Sequence, residues 1–492
     1  MGSNATINVS AANISVGGSL FDTIYNYGGG SIAGNANLNF NLTGDPGDLT
    51  TQGNAVFTID NSNGGTIGSN ATINVTANNI SSASLFSDIN NDVSGPGHNG
   101  GSIVGNATIN FNLSGDLTTQ GDASFTMGAF TGVAPETIGG AATISLTAAD
   151  VSTGGNLSFI ITSGNGSTIG SDAAINLTTA NISIASELFA SIDNNTGGID
   201  GNATINLTAD GITANSLVAQ IDTRQGTVGG NAAINMNVPG TTTVTTDATV
   251  AIYGSDAAAS AAINFNGGSY NVGGTFLSYI DGNGTITFNN ATAHADVLKA
   301  GVFGANGALN IGGGTLTADS ILKLYAPGSN GQLNFMSNVT LDGNSIKILA
   351  ANSVTIFNNV VVTIGGSNPA DVYTNNANYS ETWGGNGTTT GTFAGAGANN
   401  PLPLNQAPPF GAPPPSPARH GNITTINVSN TADLLALLDG AVVGPDGRIT
   451  ISGCPTRSNL RDLNGLPRGV RKMLIHEMRD RRTTQTGGRR IL

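Results

Sequence analysis

The sequence predicts an all-β chain wound as a parallel β-helix, a solenoid of about thirteen coils, and three observations point there. A short motif, seen at its clearest as Gly68-Ser69-Asn70-Ala71-Thr72-Ile73-Asn74-Val75, returns along the first three quarters of the 492 residues in one register. Each copy alternates apolar and polar residues, as Ala71, Ile73 and Val75 against Thr72 and Asn74, which is the period of a strand. Finally, 71 glycines and only 9% charged residues describe strands, tight turns and stacked polar rows rather than helices.

Aligned on its last apolar residue, the motif falls at Val9, Phe40, Val75, Phe111, Leu146, Leu177, Leu207, Met236, Phe265, Phe288, Ile311, Phe335 and Phe357. The spacings are 31, 35, 36, 35, 31, 30, 29 and 29, then 23, 23, 24 and 22. A second short run such as Asn79-Ile80-Ser81 follows the motif. A third, such as Leu85–Ile89, Leu188–Ile192 or Phe276–Ile280, closes the unit. Three short strands cannot bury an apolar face alone, but stacked units share one core. With coils ~4.8 Å apart, thirteen would extend roughly 60 Å. A β-sandwich does not account for one register kept thirteen times.

The composition changes near Gly366, which divides the chain into 1–366, the β-helix; 367–420, an Asn/Gly/Thr-rich and then Pro-rich linker; 421–452; and 453–492. Residues 401–419 hold eight prolines, a polyproline-like spacer. In 421–452, Ile423–Val428 reads as a strand and Thr431–Ala441 as a short helix capped by Thr431. The final segment carries ten basic residues against three acidic ones, whereas the whole chain has a net charge of −14. This tail has two readings: an attachment to an anionic surface, or an out-of-frame gene end.

The acidic, Lys-poor body excludes non-specific nucleic-acid binding by the β-helix. One cysteine, Cys454, excludes a disulfide framework within the chain. No apolar run of about 18 residues and no signal peptide is visible. Because Met1-Gly2-Ser3-Asn4-Ala5-Thr6 repeats the letters of Gly68–Thr72, the chain is expected to start inside a repeat, as a fragment of a longer exported protein would.

Candidate chemistry is sparse. Outward asparagines, among them Asn39, Asn74, Asn110, Asn206 and Asn334, should stack as amide ladders, with Ser145, Thr287 and Ile356 as exceptions. Asp296, Asp319 and Asp342 are spaced by 23 and Lys299, Lys323 and Lys347 by 24, so each set should form a column, the two offsetting one another. Such columns form a solvated charged surface or a groove for an acidic or neutral polysaccharide. His98, His294 and His420 stand isolated. His476-Glu477 opens like a zinc-protease helix, but Asp480 replaces the second histidine. No cofactor motif, metal site or catalytic set is read here.

The Gly-Asn-Ala-Thr-Ile-Asn coils, with Gly307–Ile311 and Ser345–Ala350, resemble filamentous-haemagglutinin-like exoproteins over residues 1–365. The resemblance implies a secreted bacterial protein with right-handed winding, exported through an outer-membrane partner and used in adhesion. The expected function is therefore that of an adhesin-like structural protein at the cell surface, contacting glycans or host surfaces. A carbohydrate-active β-helix enzyme, lyase or hydrolase, and an inert display stalk are the alternatives.

Overall fold

The computed structural model describes residues 3–26, 28–91, 100–129, 137–164, 166–194, 196–224, 226–254, 258–357, 360–365, 370–373, 388–390 and 393–395. All belong to the first of two compact units, Met1–Pro414 and Pro415–Leu492. The linker prolines, the strand and helix expected in 421–452, the basic tail, His98, His420 and His476 lie outside the described residues.

Every element among the described residues is a strand, and the long pairings are parallel. The chain is a parallel β-helix. Its motif strands stack as one face, from Ala5–Ala11 through Ala71–Ala77 to Ser353–Ile356, thirteen in register. The second and third runs of each unit stack as two further faces of the same 35-stranded sheet. In the later coils the second and third runs fuse into single long strands, such as Gly314–Ala326 and Val339–Ala350.

Two details depart from the expected arrangement. Phe335 pairs with Ile356, not Phe357, so the last coil spans 356 − 335 = 21 residues. Ile356 is in the core and Phe357 is 47% exposed, because Val354 and Ile356 hold the inward phase of the alternation. The ladder position there is Thr355, paired with Asn334. A fourth face also exists, made of seven two-residue strands from Ser31–Ile32 to Thr227–Val228, whose Ile or Val closes the core just before the motif.

Pairing also continues past the change in composition. Lys347–Leu349 pair with Asp371–Tyr373, and Ala370–Val372 with Phe393–Gly395, because Ala370 to Tyr373 keeps the two-residue alternation. Residue 366 is therefore not where strand pairing ends.

Inside, Phe40, Phe57, Phe111, Phe125 and Phe159 form a rising row with ring centroids 5.3, 5.6, 5.0 and 5.0 Å apart. Most contacts are edge-to-face, the geometry aromatic quadrupoles favour. Each coil thus fills the gap under the next, which is how short strands without individual cores become one structure.

Polar ladders hold the corners. On the motif face, Asn39 donates to Asn8, Asn74 to Asn39, Asn206 to Asn176, Asn235 to Asn206 and Asn334 to Asn310, at 2.8 to 3.2 Å. At the turn before the motif, side-chain oxygens of Asn4, Asn35, Asn70 and Asn106 accept the backbone N–H of the following coil at 2.8 to 3.0 Å. Asn13, Asp48, Asn79 and Asp116 do the same at the turn between the first and second faces. Glycines share these corners for lack of room: a Cβ on Gly139 would run into the carbonyl oxygen of Val104.

A third ladder is buried. Asn26 donates to Asn61 and Asn61 to Asn91, both at 2.7 Å, while each also reaches a backbone carbonyl, Thr66, Ser102 and Thr137 in turn.

Two apolar clusters lie outside this core, on the outward side of the third face. Ile160, Phe189 and Val218 form one; Ala251, Tyr253, Leu277, Tyr279, Tyr325 and Leu349, with Phe303 against them, form the other. Burial pushes the phenols of Tyr253 and Tyr279 up to about 12 and raises Tyr270, whose hydroxyl lies inside the main core. A raised folded-state value contributes stability below the ordinary tyrosine range, about 10, and that stability is lost as pH rises through the folded value. Strand circular dichroism should therefore collapse between about pH 10 and 12, and Tyr253→Phe should move the midpoint upward. An unchanged midpoint in Tyr253→Phe would remove that hydroxyl from the cause.

Candidate functional site

The lysine column and its neighbours occupy the fused strands Thr292–Val302, Gly314–Ala326 and Val339–Ala350. In each, alternate residues enter the core: Leu298 and Ala300, Leu322 and Leu324, Ile346 and Ile348. The residue between them must face outward. That position is Lys299, Lys323 and Lys347, paired one above another. The column lies between Leu277 of the preceding coil and the backbone position of Asp371 in the following one.

Three ammonium groups on adjacent rungs repel. Burial pushes the Lys323 ammonium below its ordinary value, and Lys299 and Lys347 on either side push it further in the same direction. The desolvation and the repulsion both disfavour the charged form, and an anion laid across the column would reverse the second.

The acidic residues do not form the matching column. Asp342 pairs with Thr317, which pairs with His294, so Asp342 shares a column with a histidine. Asp319 and Ser320 occupy a bulge opposite Asp296 on one side and Asn344 on the other. The bulge is the reason: beyond it the step is 24 residues, which the lysines follow (323 − 299 and 347 − 323), whereas before it the step is 23 and then 25 (318 − 295 and 343 − 318), so Asp319 stays opposite Asp296 while Asp342 falls two residues short of Asn344.

The bulge gives the aspartates other partners. His294 Nε2 lies 3.1 Å from Asp319 Oδ1, Ser320 donates to Asp296, and Asn344 donates to the Asp319 carbonyl oxygen at 2.6 Å. His294, read from sequence as isolated, is part of this cluster. The signal for it was its spacing of 25 from Asp319, one residue longer than the lysine repeat.

The arrangement offers a row of cations at the strand repeat of ~4.8 Å beside a hydrogen-bonded acidic bend. It offers charge attraction and hydrogen bonding. Among the described residues no group of three or more His, Cys, Asp or Glu is placed to hold a metal ion. Elsewhere, Thr43, Asp45, Thr76, Asn78, Asn112 and Ser114 line an open recess of about 410 Å³ at a corner of the early coils. No helix among the described residues is long and apolar enough to cross a membrane.

Comparison with protein-family models, curated proteins and solved structures finds no match to the chain.

Proposed function

We propose that the chain is an adhesin-like structural protein of the cell surface or secreted space, which engages acidic glycans along the column of Lys299, Lys323 and Lys347. The observation that carries the reading is that these three side chains stand on consecutive rungs in exact register. A linear polyanion with charges on successive sugars meets such a column several times at once, and linked contacts raise avidity beyond that of each one. The weak charge density elsewhere in the coils makes this the most distinctive cationic feature among the described residues. The likeness of the repeats to filamentous-haemagglutinin-like exoproteins, and with it export through an outer-membrane partner, belongs to the same proposal.

The test is binding of the full chain to immobilised polygalacturonate and to neutral dextran over a range of salt. Binding to the polyanion should weaken as salt rises. Replacing all three lysines by Ala should cost about tenfold or more in affinity, the sum of modest contacts from half-buried charges. Equal binding by the triple variant would sink the proposal, as would a preference for dextran. Release of new reducing ends or unsaturated sugars would move the chain to the enzymes instead. Binding that vanishes only on removal of 415–492 would leave the coils as a display stalk.

A further inference from the structure

The corner between the first and second faces is short in most of the early coils. Residues 12–13 turn it between Ala5–Ala11 and Ile14–Val16, residues 78–79 between Ala71–Ala77 and Ile80–Ser82, and residues 114–116 between Ala107–Leu113 and Leu117–Thr119. One coil departs from this. Between Ala36–Leu42 and Leu49–Thr51 the corner takes six residues, 43–48, four more than in the coil on either side. A repeat that is otherwise even along the rod is interrupted there, and the interruption makes the wall of the recess at Thr43, Asp45, Thr76, Asn78, Asn112 and Ser114.

The inserted loop is fixed at both ends. The Thr43 N–H donates to the Ala11 carbonyl at 3.2 Å, and the Gly47 carbonyl accepts the Asn78 N–H at 2.8 Å. Gly44 passes so close to the preceding coil that a Cβ there would lie 2.6 Å from the Ala12 Cα. Asp48 accepts from the Asn79 N–H at 3.2 Å, the Asn79 amide at 2.9 Å and the Asn78 amide at 3.3 Å, while Ser114 donates to Asn78 at 3.0 Å. The wall is therefore formed before any ligand arrives. Four polar side chains take no part in holding it. Thr43, Asp45, Thr76 and Asn112 are exposed and make no side-chain hydrogen bond among the described residues, and Thr76 and Asn112 stand on successive rungs. Asp48 and Asp45, three positions apart, thus differ in kind: the fold uses the first carboxylate and leaves the second open to solvent.

We propose that this recess is a binding site for a neutral saccharide of one or two rings, held by Thr43, Asp45, Thr76 and Asn112. Its volume of about 410 Å³ lies at the small end of ligand sites, ~300–1,000 Å³. Asp45 is the one charged residue that lines it, so an anionic ligand would meet repulsion and no cation. Sugar hydroxyls both donate and accept. A carboxylate that only accepts, an amide that does both and two threonine hydroxyls match that chemistry, and the Pro46 ring offers an apolar surface to the C–H face of a pyranose. The site lies in coils far along the chain from Lys299, Lys323 and Lys347, and its charge suits the opposite class of glycan, so it stands independently of the lysine column.

Saturation-transfer NMR on the full chain, with cellobiose, lactose and N,N′-diacetylchitobiose as probes, tests the site. At least one of the three should bind with a Kd on the order of millimolar, as an open site with few contacts supplies. Asp45→Ala and Asn112→Ala should each weaken that binding about tenfold, with strand circular dichroism unchanged because both side chains are exposed. The variant lacking all three column lysines should bind the disaccharide as the native chain does. No transfer to any of the three probes would overturn the proposal, as would equal affinity in Asp45→Ala and Asn112→Ala. Loss of the disaccharide in the lysine variant would overturn it too, by placing the sugar on the column.

Discussion

Asn61→Ala should destabilise the early coils by at least about 3 kcal/mol, far more than its small change in volume implies. The Asn61 amide donates to Asn91 at 2.7 Å, to the Ser102 carbonyl at 3.1 Å and to the Gly65 carbonyl at 3.3 Å, and its oxygen accepts from Asn26 at 2.7 Å. All of this takes place at a fully buried position. Truncation strands several polar groups where solvent does not reach them, at about 1–3 kcal/mol for each that stays unsatisfied. Asn74→Ala is the control. Its ladder partner is Asn39 at 3.2 Å, but the motif-face ladder is only part-buried, so water replaces the lost bond and the cost should stay below about 1 kcal/mol. Guanidinium unfolding of both variants decides the matter, and equal midpoints would refute the distinction between the two ladders.

Phe111→Ala should cost about 3–5 kcal/mol, and the damage should be local. The ring touches Phe57 at 5.6 Å and Phe125 at 5.0 Å, both edge-on. In a solenoid each coil feels its neighbours and little beyond them, so the loss should appear where the neighbouring rings lie. Hydrogen exchange should accelerate in the coils containing Ala71–Ala77, Ala107–Leu113 and Ala142–Thr147 and stay unchanged near Gln332–Phe335. Uniform acceleration along the whole chain would mean global cooperativity and defeat the one-dimensional picture.

The alternation of Ala71, Ile73 and Val75 was enough to place thirteen strands, because a one-residue slip would turn every core side chain to solvent. Where that penalty is weak, sequence reading lost the register. Phe357 drew the last alignment by its size, yet Ile356 is the residue inside. The aspartates near the lysine column lie at a bulge, and their even spacing matches the coil step only once, because that step changes from 23 to 25 residues there.

Other features were hidden by repetition itself. Asn61 looks like any other asparagine in an Asn-rich chain; only its distance from the closing strand makes it interior. The fourth face was visible as Ser31-Ile32, Thr66-Ile67 and Ser102-Ile103, but two residues are too few to show a period. The outward tyrosines sit in runs where both alternating positions are apolar, so Ala248 to Tyr253 reads as one buried strand and conceals that it has two different faces.

At the corner before the motif, the bonds from backbone N–H to asparagine side chain run one way among the described residues. Asn4 receives the N–H of residue 35, Asn35 that of residue 70 and Asn70 that of residue 106, never the reverse. A coil already in place therefore displays side-chain acceptors for the next one, which answers only with backbone carbonyls, as Asn70 does for the Ala36 N–H. For a polypeptide that emerges with its amino end leading, the order of synthesis is then also the order in which each turn finds its template. The fold has a direction of growth written into its side-chain amides.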